Sequence, residues 1–157
     1  MKKLLIAVVS GLIATLAVPA AQAQAAQPVE LVGDVKVDKL VVENGKEKHV
    51  LIDPKVVVPG DKLIFSTAYH NKGAEAVSNF VVTNPLPAGV ALAPQGADKL
   101  EVSVDGGKTW GRLAVLTVAD ATGQRPAQAG DVTHVRWILP VLAPGASGTL
   151  TYNALVR

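Results

Sequence analysis

The sequence predicts an all-β fold, either a sandwich or a barrel of short antiparallel strands. Segments with alternating or uniformly apolar residues recur at intervals of about 8 to 15 residues, which is typical of these architectures. Turn-forming residues separate the segments, and no stretch after residue 23 has helical periodicity. The chain has 157 residues, which is the size of one domain and too short for a two-lobed enzyme.

The N-terminal 23 residues have the three parts of a secretory signal peptide. These parts are a pair of lysines, an apolar run and a small-x-small cleavage motif, at residues 2–3, 4–18 and 21–23. About 15 apolar residues fall short of the roughly 20 that span a bilayer, which disfavours a membrane anchor. We expect a signal-peptide helix, with cleavage after Ala23 or, as second choice, after Ala25. Residues 24–28 are then a flexible lead-in and residues 29–157 the β-sandwich domain.

The composition excludes several classes of function. Loss of Lys2 and Lys3 leaves 13 basic against 13 acidic residues, so we expect neither nucleic-acid binding nor an anionic membrane partner. The chain has no cysteine, which excludes disulfides, thiolate metal sites and cysteine nucleophiles. Its three histidines are far apart in sequence, and we predict no metal site and no cofactor.

The first predicted element is a β-hairpin. Apolar and charged residues alternate over residues 34–38, so one face of this strand should be buried, and residues 40–42 extend it. Asn44-Gly45 favours a type I′ turn, because both central residues of that turn take positive φ. Residues 49–52 are then the returning strand.

The centre of the chain predicts another strand pair and an irregular segment. Residues 58–61 form a turn that Asp61 can cap, residues 62–70 form a strand, and residues 77–83 return after a corner at Asn71. Two prolines and a glycine in residues 84–89 exclude a regular helix or a central strand there.

The C-terminal half predicts four more strands, at residues 100–104, 113–118, 132–139 and 149–156. Residues 119–130 are polar and contain alanine, glycine and glutamine, so we expect a loop. Pro144-Gly145 fits the central positions of a type II turn. From the alternation along the strands we predict four core residues: Phe65, Phe80, Trp137 and Leu150.

Three segments in sequence order resemble a known family. They are a Pro59-Gly60-Asp61 turn that leads into a strand and an Asn-x-Gly corner, a Leu-Pro-x-Gly segment, and a Leu-Ala-Pro-Gly turn before the last strand, within residues 58–73, 81–90 and 137–152. This stretch resembles the conserved-repeat domain of bacterial surface proteins, over roughly residues 55–157. The resemblance implies an immunoglobulin-like antiparallel β-sandwich and no common catalytic residues. The chain departs from the pattern in having Asn84-Pro85 where the family often has Asp-x, and in having a single unit.

One further motif resembles a pattern found in some enzymes. Residues 103–110 fit the Asp-box pattern Ser-x-Asp-x-Gly-x-Thr-Trp, which recurs in sialidases and other propeller proteins. A propeller does not fit in this length, the chain has one box and four arginines, and no pair of facing carboxylates can be placed. We therefore interpret the box as a structural hairpin, with a ligand-contacting loop as the alternative. Its candidate binding residues are Asp105, Lys108, Trp110 and Arg112.

Taken together, these features predict an exported domain of the bacterial cell envelope. We expect a periplasmic or secreted, non-enzymatic module that is structural or binds a protein or another envelope component through its loops and strand edges. The alternative is a carbohydrate-binding module that uses the Trp110 hairpin. The sequence assigns no catalytic residue, and it identifies neither the partner nor the oligomeric state.

Overall fold

The computed structural model describes residues 28–157, and these form an all-β structure, as predicted. The predicted signal peptide with its helix, residues 1–23, and residues 24–27 of the predicted lead-in lie outside the described residues. Within the described range there is no α-helix, and the helical segments are three single 3-10 turns, at Ala97–Lys99, Leu113–Val115 and Ala129–Asp131.

Ten strands follow one another along the chain. In chain order they are β1 (Val29–Glu43), β2 (Lys46–Ile52), β3 (Lys62–Asn71), β4 (Val77–Pro85), β5 (Val90–Leu92), β6 (Glu101–Ser103), β7 (Thr117–Asp120), β8 (Gly123–Pro126), β9 (His134–Leu142) and β10 (Ser147–Val156). All pairings between them are antiparallel.

The strands form two main sheets that share one core. One sheet has the order β2-β1-β3-β10-β5 and the other β4-β9-β6, while β7 and β8 form a separate hairpin. Alternate side chains of both sheets point into the space between them, as expected for a sandwich. The core includes, from the first sheet, Val37, Leu63, Leu92, Tyr152 and Ala154, and from the second, Val102 and Val135. Phe65 stacks on Tyr152 within it, with ring centroids 4.8 Å apart.

The turns that the sequence predicts form for the expected reasons. Asn44 and Gly45 have φ of 54° and 75°, the type I′ geometry, and join Glu43 to its partner Lys46. At the next turn Gly60 has φ of 91°, and the Asp61 carboxylate accepts the Val58 N–H at 3.0 Å.

The corner after β3 is built around the side chain of Asn71, which is fully buried. Its Nδ2 donates to the carbonyls of Glu75, Leu142 and Ala143 at 2.9, 2.9 and 3.1 Å, and its Oδ1 accepts the Gly73 N–H at 3.0 Å. Both functions of the amide are therefore satisfied, and they tie β3 to the end of β9 in the opposite sheet. After this corner β4 does not return beside β3, as the sequence had suggested, but pairs with β9.

Two predictions for residues 113–130 are wrong. Residues 113–118 do not form one strand, because Leu113–Val115 is a 3-10 turn and β7 begins only at Thr117. Leu113 and Leu116 both pack against the core, and a 3-10 turn places residues three apart on one side. Residues 119–130 are not a loop throughout, since β7 and β8 pair across a turn in which Asp120 accepts the Thr122 N–H at 2.8 Å.

The prediction of core residues is confirmed for two of the four. All four side chains are partly buried, and Phe65 and Trp137 pack against the buried cluster, whereas Phe80 and Leu150 lie outside it. Phe80 is in β4, an edge strand, next to Asn79, whose φ is 52°. Leu150 lies on the part of β10 that no strand of residues 28–157 flanks on the β5 side.

Candidate functional site

The Asp-box motif forms a compact loop that follows β6. The loop is closed by a bridge between Val102 and Gly111, whose backbone groups exchange hydrogen bonds of 2.9 and 3.1 Å. Gly106 and Gly107 have φ of 77° and 88°, in the left-handed region that favours glycine. Both glycines of the motif are therefore needed for the path of the chain.

The Asp105 carboxylate bonds to its own loop. It accepts the Thr109 N–H at 2.9 Å, the Lys108 N–H at 3.1 Å and the hydroxyls of Ser103 and Thr109 at 2.7 Å each. The bond from the Thr109 N–H, then those from the two hydroxyls, holds the pKa of Asp105 well below its usual range. The group thus stays a carboxylate at neutral pH, and its lone pairs are used to shape the loop.

The Ser103 side chain also holds the loop through hydrogen bonds. Ser103 is fully buried, donates from Oγ to Asp105, and accepts the Gly107 N–H at 2.9 Å. A hydroxyl placed in this way orients the carboxylate and holds the backbone of Gly107.

The Trp110 indole is half-buried and has partners on several sides. Its Nε1 donates to the Gly107 carbonyl at 2.9 Å, inside the loop. The Arg136 guanidinium lies over the ring, 4.5 Å from its centroid, and itself donates to Glu101 at 2.7 Å. His134 contacts the ring in an edge arrangement with centroids 6.3 Å apart. One face of the indole is therefore covered by a cation–π contact.

The other two predicted residues do not join Asp105 and Trp110 in one site. The Lys108 side chain is exposed, and its backbone N–H is the group that bonds Asp105. The Arg112 guanidinium donates to the Asp98 carbonyl in the first 3-10 turn. Arg112 thus links the end of the loop to a neighbouring segment.

Sequence reasoning missed Arg136 and Glu101, which complete the surroundings of Trp110. Glu101 and Arg136 are cross-strand partners on β6 and β9, so their side chains lie on the same face. The alternation along β9, with Val135 and Trp137 pointing inward, places Arg136 on the outer face. Only the pairing of β6 with β9, which is not local in sequence, brings it to Trp110.

A separate groove of about 370 Å³ lies between β10 and the segment at residues 95–100. Its apolar lining comes from Trp137, Leu150 and Tyr152, and its polar lining includes Gln95, Lys99 and Thr151. This groove lies at the β10 edge of the first sheet, with Trp137 contributed by β9 of the second sheet, and it shares no lining residue with the Asp-box loop.

Residues 28–157 contain neither a cluster of metal-ligating side chains nor a membrane-spanning helix. Among residues 28–157, no three His, Asp or Glu side chains converge in a way that would hold a metal ion. The same residues contain no helix whose length and apolar character would allow it to cross a membrane. Comparisons with protein-family models, with curated proteins and with solved structures find no match to this chain.

Proposed function

We propose that this chain is an exported, non-enzymatic β-sandwich domain of the bacterial cell envelope that acts as a structural or protein-interaction module. In this proposal residues 1–23 are removed on export, and residues 29–157 form an immunoglobulin-like domain of the conserved-repeat type in the periplasm or outside the cell. Its partner is a protein or another envelope component.

The observation that carries the proposal is the internal bonding of the Asp-box loop. The Asp105 carboxylate and the Trp110 Nε1 both bond within the loop, and Arg136 covers a face of the indole. Groups used in this way stabilise a hairpin, and they are less available to polarise or stack on a substrate. This supports a scaffold role for the Asp-box motif.

Export is tested by expressing the full chain in a Gram-negative bacterium and separating periplasm, membranes and cytosol. We expect the periplasmic or secreted product to begin at Gln24, as determined by N-terminal sequencing. The matched control replaces Leu5 and Ile6 by Asp, which interrupts the apolar run and should leave the chain uncleaved. A wild-type chain that stays uncleaved in the cytosol would contradict the proposal.

The carbohydrate-binding alternative is tested on a glycan array with the purified protein and its Trp110→Ala variant. The proposal expects no glycan signal that depends on Trp110. As a control, Trp137→Phe removes the other tryptophan and leaves the Asp-box loop intact. Glycan binding that Trp110→Ala abolishes and Trp137→Phe retains would establish the alternative instead.

A further inference from the structure

One edge of the five-stranded sheet is open along β10. Residues 147–153 of β10 pair with β3 on one side. On the other side β5 pairs only with Ala154, Leu155 and Val156. Within the described part of the chain, residues 147–153 therefore have no strand neighbour on that side, over a length of about 20 Å.

The backbone groups at this edge point toward the groove beside it. The Asn153 carbonyl accepts the Ala93 N–H at 2.8 Å on the open side. The N–H and C=O of a strand residue point to the same side, and successive residues alternate. Thr149 and Thr151 therefore direct their N–H and C=O groups to the open side as well. Both residues are exposed.

This edge lacks two of the features that normally protect a strand from pairing, charged residues and prolines. Natural edges carry charges, prolines or bulges. The exposed edge of β1, at residues 29–36, has Glu30, Asp34 and Lys36, and β4 has Asn79 with positive φ and ends at Pro85. Residues 147–153 contain no charged residue and no proline. The β10 edge is thus open and chemically suited to accept another strand.

The groove along the edge adds selectivity. Trp137 and Leu150 provide an apolar lining on the inner side of the sheet, and Lys99 lies on the opposite wall. The Lys99 ammonium is exposed and has no acidic group within 4.0 Å among the described ion pairs. An incoming strand with a large apolar side chain and a carboxylate would complement both walls.

We propose that this chain binds an extended segment of another protein by strand addition to residues 147–153 of β10. The segment places a large apolar side chain against Trp137 and Leu150 and a carboxylate beside Lys99, while Thr149 and Thr151 supply the backbone hydrogen bonds. This inference rests on the proposed interaction function and names the class of partner. A second copy of the chain, paired through its own β10, is the competing occupant.

The test uses the full chain, labelled with ¹⁵N, and the peptide acetyl-Thr-Glu-Val-Thr-Phe-Thr-amide as probe. We expect saturable shifts of the Thr149 and Thr151 amides at millimolar peptide. Two N-methylated forms of the peptide, blocked at alternate residues, should differ at least about tenfold in affinity, since only one set of N–H groups faces β10. No saturable shift at these amides, or equal affinity of the two forms, would overturn the proposal.

Two variants connect the binding to this edge. Thr151→Pro removes an N–H that points to the groove and leaves the bonds to β3, so peptide affinity should fall at least about tenfold. Lys99→Glu should weaken the peptide about threefold or more, and a peptide with Lys in place of Glu should recover the loss. Lys55→Glu, at another exposed lysine, is the matched control and should change neither affinity.

The remaining outcomes separate this inference from the proposed function. A dimer in light scattering that Thr151→Pro dissociates would overturn the inference in favour of self-pairing. An exported chain that fails to bind the peptide contradicts the inference alone. A chain that stays in the cytosol but follows the predicted pattern of variants contradicts the export proposal alone.

Discussion

The Asn71 corner and the Asp105 loop solve the same problem in different surroundings. In each, one short polar side chain makes four hydrogen bonds that hold a turn. Asn71 is fully buried and neutral, whereas Asp105 is exposed and charged. Burying an ion is costly, so an amide with donors and an acceptor suits the corner, and a carboxylate suits a loop that offers only donors.

The two sites also differ in how easily they can be recognised in the sequence and in how much they contribute to stability. The Asp-box loop has a motif that can be read from the sequence, but its bonds lie in contact with water, which competes for each of them. The Asn71 side chain is fully buried and its bonds to Leu142 and Ala143 join the two sheets, so its loss leaves these carbonyls without a partner at a site that water reaches poorly. We therefore expect the less conspicuous asparagine to matter more for stability.

The largest expected effect is that of Asn71→Ala. The variant leaves the Leu142 and Ala143 carbonyls and the Gly73 N–H without their partner, and we expect a loss of about 3 kcal/mol in the free energy of unfolding. Asn84→Ala is the control, because that amide is half-buried and donates only to Thr67 at 2.8 Å; about 1 kcal/mol is expected. Urea unfolding measures both, and equal losses would refute the distinction.

Gly145→Ala tests the backbone of the same corner. Gly145 has φ of 74° and donates its N–H to the Asn71 carbonyl at 2.9 Å. A methyl group there meets open space, so the expected loss of about 1–2 kcal/mol comes from the left-handed conformation alone. Gly33→Ala, at an exposed strand position that also has open space, is the control and should not destabilise the protein. A neutral Gly145→Ala would show that the turn can change its geometry.

Two carboxylates, Asp105 in the Asp-box loop and Asp131 in the third 3-10 turn, make the stability of the protein depend on pH, which the neutral Asn71 amide does not. Bonds to Asp105, and an Arg125 guanidinium that donates to Asp131 at 2.7 and 2.8 Å, lower the pKa of both carboxyls, that of Asp131 to about 2. Since the folded pKa values lie below the unfolded value of 3.8, this stability is present above about pH 4 and is lost as the pH falls toward 2.

Asp105→Asn isolates the contribution of the loop. At pH 7 we expect Tm to fall by about 2–4 °C, and the difference from wild type to shrink as the pH falls below about 4. Asp98→Asn, at an exposed carboxyl with no described ion pair, is the control and should leave Tm unchanged relative to wild type at pH 7 and below about pH 4. A difference between Asp105→Asn and wild type that stays constant from pH 7 to pH 2 would contradict a role for the charge.

The smallest expected effect is that of Arg136→Gln on the environment of Trp110. Loss of the cation–π contact and of the ion pair with Glu101 should cost about 0.5–1 kcal/mol. In a Trp137→Phe background the emission of Trp110 should shift to the red as its ring becomes more hydrated. Unchanged emission would mean that Arg136 does not shield the indole in solution.

The features that sequence analysis predicts well are those set by a few adjacent residues. The Asn44-Gly45 turn, the Asp61 cap and the alternation along β3 are local, and each forms as expected. The bonds of Asn71 to Leu142 and Ala143 span about 70 residues, so only the existence of a polar corner, and not its partners, could be predicted.

The errors also have physical causes. In a mostly apolar segment the sequence does not distinguish a strand from a 3-10 turn. The turn forms because it places Leu113 and Leu116, three residues apart, against the same core. The β7–β8 hairpin is encoded by Asp120 and Gly123 in a polar segment that has little apolar alternation to reveal a strand. The contact between Arg136 and Trp110 depends on the pairing of β6 with β9. The residues next to Arg136 and Trp110 in the sequence do not specify that pairing.

Strand β1 pairs with β3 along its first part and with β2 along its last part. These two parts therefore differ in local stability. Its pairing with β3 ends at Asp38, and beyond that residue β2 is its one strand neighbour in the described chain. A two-stranded ribbon is marginally stable in water. We therefore expect the β1–β2 ribbon to open locally from the Asn44-Gly45 turn as far as the contact between Lys39 and Asp61, while the two packed sheets stay folded.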